Sequence, residues 1–222
     1  MREIFLLLSL ALMLQAQGPK TQTPSFTKQG AIELIDSMFK SCNPDLPENV
    51  SYMPTLLREK LRWIYLEKIG HRLHTRIAFN ENNEFGSATM IAGYGDNIPF
   101  ITVVADYVVL SVRVDSGVRT GFNRMNKNSF CLGLAHEATH LEKPKSFFRP
   151  EMSRAERMQE EFRVYKKLEP AVVELIHKKE PLENDDLYIY KIIAKCPGPV
   201  ACPAFLQEFS ARAKSIPNFP NK

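Results

Sequence analysis

The run Phe130-Cys131-Leu132-Gly133-Leu134-Ala135-His136-Glu137-Ala138-Thr139-His140-Leu141 constrains the fold more than any other part of this chain. Its apolar residues leave no polar face, and Glu137 is the only Asp, Glu, Lys or Arg in it. A helix of that composition belongs in an interior rather than on a surface. Ser129 or Asn128 is the expected N-cap, and Pro144 should stop the helix at Glu142 or Lys143. A buried helix that carries two histidines and a carboxylate needs partners for them, because uncompensated burial of such groups is costly.

The spacing H-E-x-x-H supplies a reason. Residues four apart on a helix share a face, so His136 and His140 can point at one spot. Two converging imidazoles are two of the three protein ligands of a catalytic zinc site. Glu137 then sits beside the metal and can take a proton from a water whose pKa the metal has lowered to about 7. One Zn2+ is the expected cofactor.

For the third ligand, His71, His74 and His177 lie at no favourable spacing. The next helix is a better source: Ser153-Arg154-Ala155-Glu156 reads as a capping box, with the helix running to Leu168 or Glu169 before Pro170. Its carboxylates are Glu156, Glu160 and Glu161. At about 100° per residue, Met158, Phe162, Tyr165 and Leu168 define the apolar face, and Glu161 is embedded in it. Glu160 shares a stripe with Glu156, Arg163 and Lys167 and is expected on the solvated side, while Glu156 is accounted for as the partner of the Ser153 cap. The periodicity therefore ranks Glu161 first, Glu160 second and Glu156 third.

H-E-x-x-H followed by a glutamate on the next helix resembles the gluzincin group of zinc metallopeptidases. Glu160 falls at the spacing of the thermolysin-like members and Glu161 one residue later, and Glu161-Phe162-Arg163-Val164 is similar to an E-x-x-A pattern with valine in place of alanine. The resemblance covers His136 to Tyr165, and it departs at Glu142, where these proteins usually carry a hydrophobic residue. It implies His136, His140 and Glu161 as zinc ligands and Glu137 as general base. The fold it implies is α+β: a minimal zincin-like domain, with a small, mostly antiparallel sheet beside the motif helix and a helical C-terminal part.

The remaining sequence fits that frame. Arg2 followed by the apolar run Ile4 to Leu14 reads as a secretory signal cleaved near Ala16, too short to span a bilayer. Residues 17–28 read as a flexible leader and 29–222 as one domain, large enough to bury a core. A secreted or periplasmic location follows, with no stable membrane insertion. Of the four cysteines, Cys196 and Cys202 enclose a tight turn and suit a small disulfide loop, which leaves Cys42 and Cys131 as partners or free thiols. A net charge of +4, spread along the chain without an aromatic-interleaved basic patch, argues against a nucleic-acid partner.

Helical spacing predicts helices over Gln29–Lys40, Met53 or Pro54 to Ile69, Ala171–Lys178, Asp186–Lys195 and Ala204–Ala213. Strands are predicted over Arg72–Phe79, Ser87–Ala92 and Phe100–Val104, the last two separated by a Gly93–Asn97 loop; valine enrichment favours a strand over Asp106–Val114. His74 would be a satisfied sheet histidine. Ile98–Val104 is the expected exposed edge for an added substrate strand. Tyr188 and Tyr190 can offer a hydroxyl to a transition state, though core positions suit them better. The expected activity is hydrolysis of peptide bonds in a peptide or protein substrate, cell-wall peptides included. The alternatives are a catalytically inactive zinc-binding protein of the same fold, or a disulfide-bearing interaction protein.

Overall fold

The computed structural model describes residues 28–42, 54–68, 74–82, 84–85, 88–109, 114–115, 118–119, 125–149 and 152–215. The signal and nearly all of the leader lie outside them, and Lys28 already begins the first helix. Helix α1 (Lys28–Cys42) buries Ala31, Ile35 and Met38 at helical spacing. Helix α2 (Thr55–Trp63) starts from Pro54 and runs on as a π turn to Lys68, burying Leu57, Leu61 and Ile64. Trp63 packs at the margin of this face, as expected.

Strands β1 (Thr75–Ala78), β2 (Met90–Gly95) and β3 (Ile98–Val104) form a sheet of order β1-β3-β2. β3 pairs in parallel with β1 and antiparallel with β2, so the sheet is mixed rather than mostly antiparallel. The order also overturns the expected edge: Ile98–Val104 is the central strand, and β1 and β2 are the edges. Ile101, Thr102, Val103 and Val104 are buried in succession, as befits a strand covered on both faces.

The connection from β2 to β3 is tighter than Gly93–Asn97. The strand continues to Gly95, and Asp96 and Asn97 make a two-residue turn with φ of 49° and 71°. That pair of left-handed residues matches the turn which follows the twist of a hairpin. Gly93 and Gly95 are strand residues because the Phe100 ring lies over both; a Cβ on Gly93 would meet it at 3.1 Å.

After β3 the chain turns directly into a short helix, α3 (Ala105–Val108), where a strand was expected. Ala105, Val108 and Val109 are all buried, a spacing that one helical turn satisfies and a strand does not. Asp106 in this turn accepts the Asn80 N–H at 2.6 Å. Val114–Asp115 and Val118–Arg119 (β4 and β5) pair as a short antiparallel ribbon.

The motif helix is α4 (Lys127–His140). Its N-cap is Asn126, whose side chain accepts the Asn128 N–H at 2.8 Å, not Ser129 or Asn128. Those two bind the segment before a later helix instead: Asn128 Nδ2 donates to Pro181 O, and Ser129 Oγ accepts the Glu183 N–H. α4 ends at His140, two residues before the expected stop. Arg163 Nη2 then donates to the Thr139 carbonyl, and the Tyr94 hydroxyl to the Lys143 carbonyl, so oxygens freed at the helix end have partners.

Helix α5 (Arg154–His177) opens with the Ser153–Glu156 capping box. It does not stop before Pro170 but absorbs it, merging two predicted helices into one. Proline removes one helical donor, yet Pro170 faces solvent while Leu168, Ala171, Val172 and Leu175 around it are buried. Core packing on that side holds the helix through the missing hydrogen bond. Helices α6 (Asn184–Ile193) and α7 (Pro203–Ser215) complete the helical C-terminal part. The fold is thus α+β, mostly helical with a small mixed sheet. Disulfides join Cys42 of α1 to Cys131 of α4, and Cys196 to Cys202 ahead of α7. Among the described residues, no helix is long and apolar enough to cross a membrane.

Candidate metal centre

Helix α4 rests on β2 at a close approach made by Gly133. A Cβ there would meet the Met90 sulfur at 3.1 Å, so glycine lets the helix settle against the strand. His136 and Glu137 lie one turn further along and face the resulting cleft, with His140 buried beyond them.

The pairing of Thr89 with Val104 turns the backbone groups of Ile91, Gly93 and Gly95 toward β3. Those of Met90, Ala92 and Tyr94 therefore point outward, along the free edge of β2. The Ala92 N–H uses that direction to donate to Glu137 Oε2 at 2.7 Å. Burial pushes the Glu137 carboxyl up, against the pull of His140 and His136. A carboxylate raised in this way and held by one backbone donor is suited to accept a proton.

His136, His140 and Glu161 converge, as the helical-face ranking expected of Glu161. His136 Nε2 lies 3.2 Å from His140 Nε2 and 3.1 Å from Glu161 Oε2, while His140 Nε2 lies 3.3 Å from Glu161 Oε1. Donors 2.0–2.1 Å from a tetrahedral ion stand about 3.3 Å apart. The two histidines meet different oxygens of Glu161, and one ligand atom from each of the three side chains lies within 4.8 Å of the others, a spacing and a His2Glu donor set that suit zinc.

The electrostatics agree. Burial alone would lower the His140 imidazolium, but the Glu161 and Glu160 carboxylates outweigh it and hold it at about 10. Burial would likewise raise Glu161, yet His140 and His136 hold it well below the usual carboxylate range. The point between these side chains favours positive charge. Tyr165 packs on His136 with ring centroids 4.7 Å apart, and Phe148 meets His140 edge-on at 6.5 Å, which fixes both imidazole planes.

Glu160 is not on a solvated face. It is 6% exposed, and its Oε1 lies 3.1 Å from His140 Nδ1 while Arg163 donates to both of its oxygens. Burial raises its carboxyl, but these partners bring it down to about 2. The end of α4 covers Glu160 within the polar stripe of α5, and Arg163 also reaches Glu142 there at 2.9 Å, while the side chains of Glu156 and Lys167 stay open to solvent. A carboxylate on Nδ1 fixes the tautomer that leaves Nε2 for a metal. Glu156 stays in the capping box, away from the centre.

Of the other histidines, His74 is exposed just ahead of β1 rather than satisfied in the sheet, and His177 is exposed at the end of α5. His71 lies outside the described residues. A cavity of about 980 Å³ opens beside His136, Glu137 and Glu161, closed on its far side by α6 and α7. Tyr190 of α6 is 3% exposed in its wall, and its hydroxyl is buried without a hydrogen-bond partner among the described residues. Tyr188 is 54% exposed, not a core aromatic. The orphaned Tyr190 hydroxyl is the site feature that sequence reasoning weighed and passed over, since nothing local separates it from a satisfied core tyrosine.

Comparison with protein-family models, with curated proteins and with solved structures finds no match.

Proposed function

We propose that this chain is an exported zinc-dependent metallopeptidase that hydrolyses peptide bonds, with His136, His140 and Glu161 as metal ligands and Glu137 as general base. The observation that carries the reading is the convergence of His136, His140 and Glu161, with one ligand atom of each within 4.8 Å of the others, beside a carboxylate raised by burial. When bound, the ion supplies Lewis acidity, polarising a scissile carbonyl and lowering the pKa of water to about 7.

The protein's own groups do the rest. Glu137, aimed by the Ala92 N–H, accepts the proton of the attacking water and later delivers it to the leaving amine. Glu160 keeps the His140 Nδ1 side occupied. The Tyr190 hydroxyl, which has no partner among the described residues, would be the donor to the oxygen that gains charge at the reacting carbonyl. The outward groups of β2 at Met90 and Tyr94, with the Ala92 carbonyl, offer main-chain pairing to an extended peptide. Two disulfides support an oxidising compartment and hence export.

The test joins metal content with one substitution. Elemental mass spectrometry after mild dialysis should give about one zinc per chain, and a peptide library should be cleaved. Glu137→Gln should keep the zinc and lower turnover by roughly 10²-fold or more, the scale of a lost general base. Equal turnover in the variant would remove Glu137 from the chemistry. No zinc, with none taken up at neutral pH, would reduce His136 and His140 to interior histidines.

A further inference from the structure

Arg163 differs from the other cations of α5 in where its donors go. Its Nε and Nη2 both reach the Glu160 carboxylate, at 2.7 Å to Oε2 and 2.6 Å to Oε1. Nη2 also donates to the Thr139 carbonyl at 3.0 Å, and Nη1 to Glu142 Oε2 at 2.9 Å. Thr139 immediately precedes His140 on α4, and Glu160 immediately precedes Glu161 on α5. One guanidinium therefore holds both helices at the residue next to a metal ligand of the reading above. The Lys166–Glu169 pair, by contrast, stays within α5.

The two contacts bear on the centre in different ways. Glu160 Oε1, which Arg163 Nη2 holds, is also the atom that lies 3.1 Å from His140 Nδ1. The place of that oxygen beside the imidazole is thus set by the fork of Arg163. The Thr139 carbonyl belongs to the last turn of α4, so the Nη2 bond ties that turn across to α5. Serving two oxygens of one carboxylate, a carbonyl and a second carboxylate at once takes a planar fork of donors. A lysine ammonium has the charge but not that geometry.

Resting on the metallopeptidase reading and its ligand set, we infer that Arg163 is a positioning residue of the metal centre. By holding the Thr139 carbonyl and the Glu160 carboxylate together, it fixes α4 against α5 so that His140 and Glu161 meet one ion. Arg163 itself touches neither the ion nor a substrate. Without it the Glu160 carboxylate can turn away from His140 Nδ1, and the two ligand-bearing helices lose the bond between them. The effect is therefore read in metal affinity and coordination geometry, ahead of turnover.

The experiment measures zinc affinity of the whole protein by competition against a chromophoric chelator. Arg163→Lys keeps the charge and loses the fork, and should weaken zinc about 10–100-fold, with Arg163→Gln losing at least as much. Lys167 binds the same Glu142 carboxylate but neither Thr139 nor Glu160, so Lys167→Met should keep the affinity of the unaltered protein. Cobalt gives a second readout: the visible absorption of the Co2+ protein, intense for a tetrahedral site, should weaken in Arg163→Lys as the geometry relaxes. A folded Arg163→Lys protein with unaltered zinc affinity and cobalt spectrum, but lowered resistance to denaturant, would make Arg163 a structural ion pair and overturn the inference, with the ligand set still standing. An equal loss from Lys167→Met would overturn it too, since the charge of the network and not the fork would then matter. If neither Arg163 variant folds, the unaltered protein carries the test. Coupling is reciprocal, so zinc should slow solvent exchange of the Arg163 Nε–H in 15N NMR, and exchange indifferent to zinc would overturn the inference. Failure of the unaltered protein to take up zinc at all would instead overturn the metallopeptidase reading, and this inference with it.

Discussion

At the scale of single residues, Glu160 and Glu161 are neighbours with different tasks. Glu161 meets both histidines, Oε2 at His136 and Oε1 at His140, whereas Glu160 meets only the Nδ1 side of His140. Glu161→Ala should therefore abolish zinc retention, because a ligand is lost. Glu160→Ala should weaken zinc affinity about 10–100-fold, the usual effect of removing a carboxylate behind a liganding histidine. Competition against a chromophoric chelator measures both, and equal losses would erase the distinction. The sequence could rank Glu161 first because its convergence with His136 and His140 follows helical phase, which is local. It could not place Glu160, because its burial depends on Arg163 folding back onto the Thr139 carbonyl and Glu142, contacts 24 and 21 residues apart. Glu142, a departure from the gluzincin pattern, has its reason in the same network.

At the scale of elements, Glu142 fastens three helices. It takes Lys60 of α2 and both Arg163 and Lys167 of α5 at the end of α4. Even with Glu160, which also holds Arg163, two carboxylates do not balance three cations. Burial first, with the Lys167 and Arg163 charges, pushes the Lys60 ammonium from 10.5 down to about 7. Between pH 10.5 and 7 the unfolded chain then holds the Lys60 proton more readily than the folded chain. Stability should fall as pH falls through that window and level off below it. Lys60→Met, which keeps the stem and drops the charge, should stabilise the protein by roughly 1–3 kcal/mol at pH 7 and by little near pH 10. Denaturant titrations across pH would detect this, and a gain independent of pH would show that Lys60 stays charged. Element types were largely readable from periodicity; strand order was not, since pairing is set by distant partners. The β-branched and apolar run Phe100-Ile101-Thr102-Val103-Val104, with only Thr102 polar, carried a sign of its central place, one easily passed over when alternation is sought first. Pro170 misled for the opposite reason: a local helix breaker was outweighed by packing on the other face of α5.

At the scale of the whole molecule, the motif helix is held from several sides. β2 meets it at Gly133, α5 supplies Glu161 and Arg163, and the Cys42–Cys131 disulfide ties α1 to it behind the site. The small loop of Cys196 and Cys202 was foreseeable from its turn, but the pairing of Cys42 with Cys131 was open, because it depends on α1 packing against α4 across the core. The two bridges differ in what they restrict. One spans a sequence separation of 89 residues and the other only 6. On a chain-entropy argument the first restricts the unfolded state by about 4–5 kcal/mol and the second by about 2 kcal/mol. All four cysteines are buried among core side chains, so replacing either pair adds a packing loss and the loop lengths set the difference. The double variant Cys42→Ala/Cys131→Ala should therefore lose clearly more stability in denaturant than Cys196→Ala/Cys202→Ala. Its folded fraction should still bind zinc, since the ligands are positioned by α4 and α5 and not by α1. Equal losses from the two variants would mean that α1 is held by the core alone. Loss of zinc from a folded Cys42→Ala/Cys131→Ala protein would mean that the anchor behind α4 helps set the geometry of His136 and His140.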